Sequence, residues 1–154
     1  MWKEGGDMTA GSSLWEIQKA VWKILTNDAQ LMSKVVGVFD FVPDNSNFPY
    51  VQIGEFATAP FQTFDRYGQE VEMTIHVWGQ RIDPRGYQGM RQVEEIMEDV
   101  QRLLGRTSFY IELWGNIGCW ADFSTTQLQG DGITRHGILK YRLLVLQNYP
   151  ENVV

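Results

Sequence analysis

The sequence predicts an α+β fold: two helices packed on a mostly antiparallel β-sheet, in a single compact domain over residues 12–154 behind a flexible lead at 1–11. Three observations point there. Residues 70–78 alternate apolar and polar side chains without a break, the period of a half-buried strand. Two stretches, 14–26 and 87–104, instead place apolar residues three and four apart, the period of a helix. Between and after them the β-branched and aromatic residues recur in short runs, so the order reads helix, three strands, helix, three strands.

The elements follow in turn. Met1 to Gly11 carries Gly5, Gly6, Asp7 and Gly11 and no apolar run, which does not fit a signal peptide. Ser13 and Glu16 have the spacing of a capping box, opening a helix whose apolar face is Leu14, Ile17, Val21, Ile24 and Leu25. Trp15 and Trp22, seven residues apart, lie on a second face of it. Thr26-Asn27-Asp28 ends the helix, and a turn through Leu31 and Met32 leads to a strand over Val35–Val42. After the loop Pro43–Asn47 comes a second strand, Pro49–Phe56. Residues 57–68, with Pro60, Phe61, Phe64, Tyr67 and Gly68, read as a loop too long for a tight hairpin turn and carrying exposed aromatics.

In the third strand Val71, Met73, Ile75 and Val77 share one face, and Glu70, Glu72, Thr74, His76 and Trp78 the other. Asp83–Gly86 is a turn. The second helix then sets Met90, Val93, Ile96, Met97, Val100, Leu103 and Leu104 against Glu94, Glu95, Glu98 and Asp99 on its wet side, with Gly105 as its C-cap. Strands follow at Phe109–Leu113 and Gly118–Gln127. After the turn Gly130-Asp131-Gly132, the last runs over Ile138–Gln147, with Leu139, Tyr141, Leu143 and Val145 on one face. Tyr149-Pro150 ends it.

Composition narrows the function classes. The chain has 154 residues and a net charge of −6, with its basic residues scattered, which opposes binding nucleic acid through its phosphates. An acidic inner surface suits a protein that lets DNA pass without holding it. Six Trp are many for so short a chain and fit two readings, interfaces or a Trp-rich core. Nothing approaches a membrane span of about 20 apolar residues. With Cys119 the sole cysteine, an intrachain disulfide is ruled out.

Chemistry finds little to work with. His76 and His136 lack partners at metal-ligand spacing, and no nucleophile elbow, phosphate loop or dinucleotide fingerprint occurs. Cys119, between Gly118 and Trp120, reads as a small buried hydrophobe. No catalytic residue, cofactor or metal is expected, and the protein is not expected to be an enzyme.

The order of several features does point somewhere. The amphipathic helix, Asn27-Asp28 and Leu31, a Val-Phe-Asp strand, and Phe48-Pro49-Tyr50-Val51-Gln52-Ile53-Gly54-Glu55 come in succession, then a strand ending Val77-Trp78 and the helix from Gly89-Met90 to Leu103-Leu104. This resembles the phage tail completion or tail terminator family, from about Leu14 to Gln147. The resemblance implies a structural virion subunit of the neck, assembled in the host cytoplasm. Such a subunit closes into a homo-oligomeric ring, commonly a hexamer, on the tail tube protein, and presents a surface to the head–tail connector while DNA passes through. It carries no catalytic residues with it. Phe61, Phe64 and Tyr67, with Trp15, Trp22 and Trp78, are then the candidate interface residues, and Glu70, Glu72, Glu94 and Asp99 the candidate lumen acids. Two alternatives stay open: a connector-side neck adaptor or other minor tail protein, and a small enzyme acting through Cys119 and a His.

Overall fold

Four long strands carry the fold in the computed structural model, which describes residues 12–62, 66–80 and 89–147. They are β2 (Tyr50–Gln62), β3 (Tyr67–Gln80), β5 (Gly115–Leu128) and β6 (Thr134–Leu146). Two shorter ones, β1 (Val38–Phe39) and β4 (Arg106–Ile111), complete a six-stranded sheet in the order β1-β2-β3-β6-β5-β4. Among the described strands only β1 runs parallel to its neighbour; every other pair is antiparallel. Among the described residues three helices accompany the sheet: α1 (Leu14–Thr26), α2 (Ala29–Met32) and α3 (Arg91–Leu104). The α+β class and the order of the major elements are those the periodicities predict.

The core lies on one side of the sheet, here called the inner face. Val71, Met73, Ile75 and Val77 of β3 are fully buried there, as are Tyr141, Leu143 and Val145 of β6, with Leu139 nearly so. Ile17, Val21 and Leu25 of α1 and Val93, Ile96, Met97, Val100 and Leu104 of α3 close over them in one apolar cluster. Each fully buried side chain of this size stabilises the fold by roughly 1.5–3 kcal/mol. Tyr141 keeps its hydroxyl satisfied by donating to Gln101 Oε1 at 2.9 Å, and burial pushes its phenol far above the usual value. Gly137 lets α3 lie close, because a Cβ there would stand 2.5 Å from Met97 Sδ and 2.8 Å from Val93 Cγ1.

Several expectations are corrected. Ser13 is the N-cap of α1 but makes no capping bond; its N–H and hydroxyl both go to Gln69 Oε1, tying the helix start to β3. The expected turn at Leu31 is the one-turn helix α2, capped by Asp28, whose carboxylate accepts the Leu31 N–H at 2.9 Å. The strand expected over Val35–Val42 shrinks to Val38–Phe39, which pair only with Val51 and Gln52.

The largest correction concerns 57–68, read as a loop. β2 continues through Gln62 and β3 begins at Tyr67, in register from Ala57 opposite Glu72 to Gln62 opposite Tyr67. Among the described residues the strand has no outer neighbour beyond Gln52, so Pro60 sits on an edge there, where its missing N–H is tolerated. The helix expected from Tyr87 is described from Arg91, and Gly105 caps it in right-handed helical geometry (φ −64°). The 1–11 lead, the Asp83–Gly86 turn and Tyr149-Pro150 lie outside the described residues.

Candidate assembly surfaces

Helix α1 presents two tryptophans to solvent. Its buried stripe, Ile17, Val21 and Leu25, faces the sheet, so Trp15 and Trp22 necessarily look outward, at 60 % and 46 % exposure. With Gln18, Lys19, Lys23, Asp40 and Ile53 they line a groove of about 350 Å³. Its walls are fixed. Trp22 Nε1–H donates to the Val38 carbonyl at 3.1 Å, Gln18 Nε2 donates to Asp40 Oδ2 at 2.8 Å, and Lys19 Nζ sits 5.9 Å from the Trp15 ring centroid. Exposed aromatics of this size, held rather than waving, are typical interface anchors.

A second apolar patch lies on the outer face of the sheet. Trp120, Phe123 and Leu144 are 40 %, 54 % and 42 % exposed. The register places them opposite Arg142, Lys140 and Gly118 on the β5–β6 pair, away from the core. The Arg142 guanidinium lies among them and bridges Glu70 and Asp122, which hold it firmly charged. A bulge between Ala121 and Phe123 leaves Asp122 free of the strand pairing and able to reach it.

The other expected residues are scattered. Tyr67 is half-buried and packs on the core, its ring 6.1 Å from that of Trp114. Trp78 is also half-buried; it donates to Gln52 Oε1 at 3.1 Å and stacks on His136. Phe61 belongs to β2 opposite Gly68, and Phe64 lies outside the described residues. Among the acids, Glu70 and Glu72 share the outer face of β3, whereas Glu94 is exposed on α3, which covers the inner face. Asp99 is not on the wet side at all. It is 2 % exposed and holds Lys34 Nζ at 2.8 Å, Gln30 Nε2 at 2.7 Å and Arg102 NH2 at 3.3 Å, joining α3 to the α2 region.

The thiol–imidazole alternative finds no geometry. Cys119 lies in the core, and burial pushes its thiol up to about 12, far from a reactive thiolate. Both histidines are on the opposite face of the sheet. Among the described residues no group of three or more His, Cys, Asp or Glu is placed to hold a metal ion, and no helix is long and apolar enough to cross a membrane.

Comparison with known proteins gives this fold a family. A family model described as Tail completion protein gp17 matches residues 19–146. The chain belongs to this family. Tail completion protein gp17 of Bacillus phage SPP1 is 26 % identical to it over 132 residues, 86 % of this chain and 93 % of that protein. Among solved structures, a chain from the virion of a native gene transfer agent particle superposes with a TM-score of 0.78 at 20 % identity, covering 89 % of this chain and 99 % of that one. The structure of bacteriophage SPP1 gp17 gives a TM-score of 0.50 at 22 % identity, covering 94 % and 99 %. At such identities the structural likenesses establish the fold. Membership of the tail completion family, a structural family and not an enzyme family, makes the chain a structural component that completes a phage-type tail.

Proposed function

We propose that the protein is the subunit of a closed ring, hexameric as the resemblance implies, that terminates the tail tube and joins it to the head connector. The ring leaves a channel for DNA and is assembled in the host cytoplasm before joining the virion. The observation that carries this reading is the family match over residues 19–146. Two unlike apolar patches support ring closure: the Trp15–Trp22 groove beside α1 and the Trp120–Phe123–Leu144 patch on the outer sheet face. A ring is built from heterologous contacts, in which one patch of a subunit meets a different patch of the next. Trp15 and Trp22 are the principal contact residues in this reading. Phe61 and Phe64, the aromatic pair the sequence marks, add to the contact in this reading.

The acids divide between two sides. A channel lined by one face of the subunit takes Glu70 and Glu72 together, or Glu94, but not all three; Asp99, buried and ion-paired, is not among them. Carboxylates on the channel wall repel phosphate and let the genome slide. Glu72→Lys and Glu94→Lys, assembled separately into particles, are expected to differ: the one that lines the channel slows DNA ejection severalfold. Unchanged ejection in both, with normal assembly, would remove the acids from the channel.

The ring itself is tested by the solution mass of the purified protein, alone and mixed with its tail tube protein. A ring, or a monomer that becomes a ring on tube ends and fixes their length, is the expected result. A monomer indifferent to tubes would overturn the terminator reading and shift the role to the connector side.

A further inference from the structure

Four polar side chains form one hydrogen-bonded line across the outer face of the sheet. Gln129 Nε2, at the start of the β5–β6 turn, lies 3.2 Å from His136 Nδ1. His136 Nε2 lies 2.7 Å from His76 Nδ1, and His76 Nε2 lies 2.8 Å from Glu55 Oε1. Trp78 fixes the middle of the line, stacked on His136 at 3.7 Å between centroids and 6° between planes. Both ends are places where the backbone changes course. Glu55 stands in the bulge between Gly54 and Phe56, beyond which β2 continues paired to β3. Gln129 closes the tip of the β5–β6 hairpin by accepting the Gly132 N–H and donating to Thr134.

The protons of this line are ordered. With Glu55 ionised and both rings neutral, one arrangement satisfies every atom. The Gln129 amide donates to His136 Nδ1, His136 Nε2–H donates to His76 Nδ1, and His76 Nε2–H donates to the Glu55 carboxylate. The reverse direction fails, since a carboxylate has no proton to give.

We propose that Glu55, His76, His136 and Gln129 are an acid-operated clasp, which fastens the β2 bulge and the β5–β6 turn to the sheet while the rings are neutral and releases them when both rings are protonated. One extra proton is accommodated: His76 donates from both nitrogens, His136 accepts at Nε2 and gives its Nδ1–H to the Gln129 oxygen after the amide turns over. A second extra proton leaves two N–H groups facing each other at 2.7 Å with no acceptor between them, and the central link breaks. Among the described residues the charged groups sharing this face are Glu55 on β2, Glu70 and Glu72 on β3, Lys140 and Arg142 on β6, and Asp122 on β5, with Arg142 already holding Glu70 and Asp122. Within the line, Glu55 is thus the only anion facing two imidazolium rings.

Burial, and then the neighbouring His76, keep His136 neutral down to about pH 4, against an ordinary value of 6.5. Between those pH values the unfolded chain binds more protons than the folded one. The stability His136 contributes is therefore complete above pH 6.5 and is lost as pH falls towards 4.

The test is a ¹⁵N NMR titration of the full chain from pH 7.5 to pH 4, with the variant His136→Gln beside it. At neutral pH the His136 ring is expected as the Nε2–H tautomer. On acidification the amides of Glu55 to Ala59 and of Gly130 to Gly132 are expected to shift with the midpoint of His136, at least one unit below the ordinary value. A glutamine at 136 can donate to or accept from His76, so those amide shifts should vanish in the variant, and its melting temperature should fall less between pH 6.5 and 4.5 than the native one. An Nδ1–H tautomer, an ordinary midpoint, or rings that titrate without moving those amides would each overturn the clasp. The tautomer and midpoint are read on the native chain, so they decide the matter even if the variant fails to fold. None of these readouts depends on assembly into a ring.

Discussion

Replacing Trp15 and Trp22 together by serine is expected to leave the subunit folded while abolishing its assembly. Both rings stand outside the core, at 60 % and 46 % exposure, so the folded subunit loses only their partial burial against α1 and its surroundings. Its specific internal losses are the bond from Trp22 Nε1 to the Val38 carbonyl, worth about 1 kcal/mol, and the exposed contact of Lys19 with the Trp15 ring, worth about 0.5–1 kcal/mol. In the assembled ring the same rings would be fully desolvated. A central tryptophan of an interface typically contributes 2 kcal/mol or more, so removing two weakens each contact by about a thousandfold. Solution mass and a thermal melt on one sample check this: ring mass lost, melting temperature lower by only a few degrees. Trp22→Phe keeps the ring and drops only the hydrogen bond, so it should assemble. If the serine variant still formed rings of native mass, the α1 groove would not be the subunit contact.

The second large effect concerns Asp99. Its carboxylate is buried at 2 % exposure and answers Lys34, Gln30 and Arg102. Asp99→Ala removes all three partners at once and leaves an apolar pocket beside two cations. Both cations reach water, with side-chain exposures of 33 % for Lys34 and 43 % for Arg102, and Arg102 keeps its bidentate contact with Asp28. The loss therefore sits at the low end for a broken buried pair, about 2–3 kcal/mol, or roughly 5–10 °C in melting temperature. Asp99→Asn keeps an acceptor for Gln30 and should recover part of it. Urea unfolding of the two variants reads the difference. A loss below about 0.5 kcal/mol for the alanine variant would mean that the cluster does not hold α3 to the α2 region.

The sequence alone determined what depends on local period. The alternation at 70–78 named the four core residues of β3, and the spacing at 93–104 named the buried stripe of α3. Ile17, Val21 and Leu25 were likewise visible, and Trp15 and Trp22 stood on a second face whose exposure only the packing of α1 decided. Such patterns survive because a strand repeats every two residues and a helix every 3.6, whatever packs against them. The resemblance to the tail completion family rested on the order of these elements and holds.

What depends on register or on a distant partner was decided only by the tertiary structure. Residues 57–62 carry Pro60 and two alanines beside Thr58 and Phe61, with no apolar alternation; pairing with β3 made them a strand, because that partner was already extended and offered its free backbone groups. Asp99 follows Glu98 on a helix and looks solvated, yet the buried cluster becomes visible only once Lys34 and Gln30 arrive from a segment more than sixty residues away. Ser13 had the spacing of a capping box, but Gln69 offered its hydroxyl a nearer acceptor across the fold. His76 and His136 each read as an unremarkable strand residue. Their line exists because β3 and β6 pair in one register, and a shift of a single residue would turn one ring into the core. Hydrogen bonds between distant segments are set by that register, and no local period encodes it.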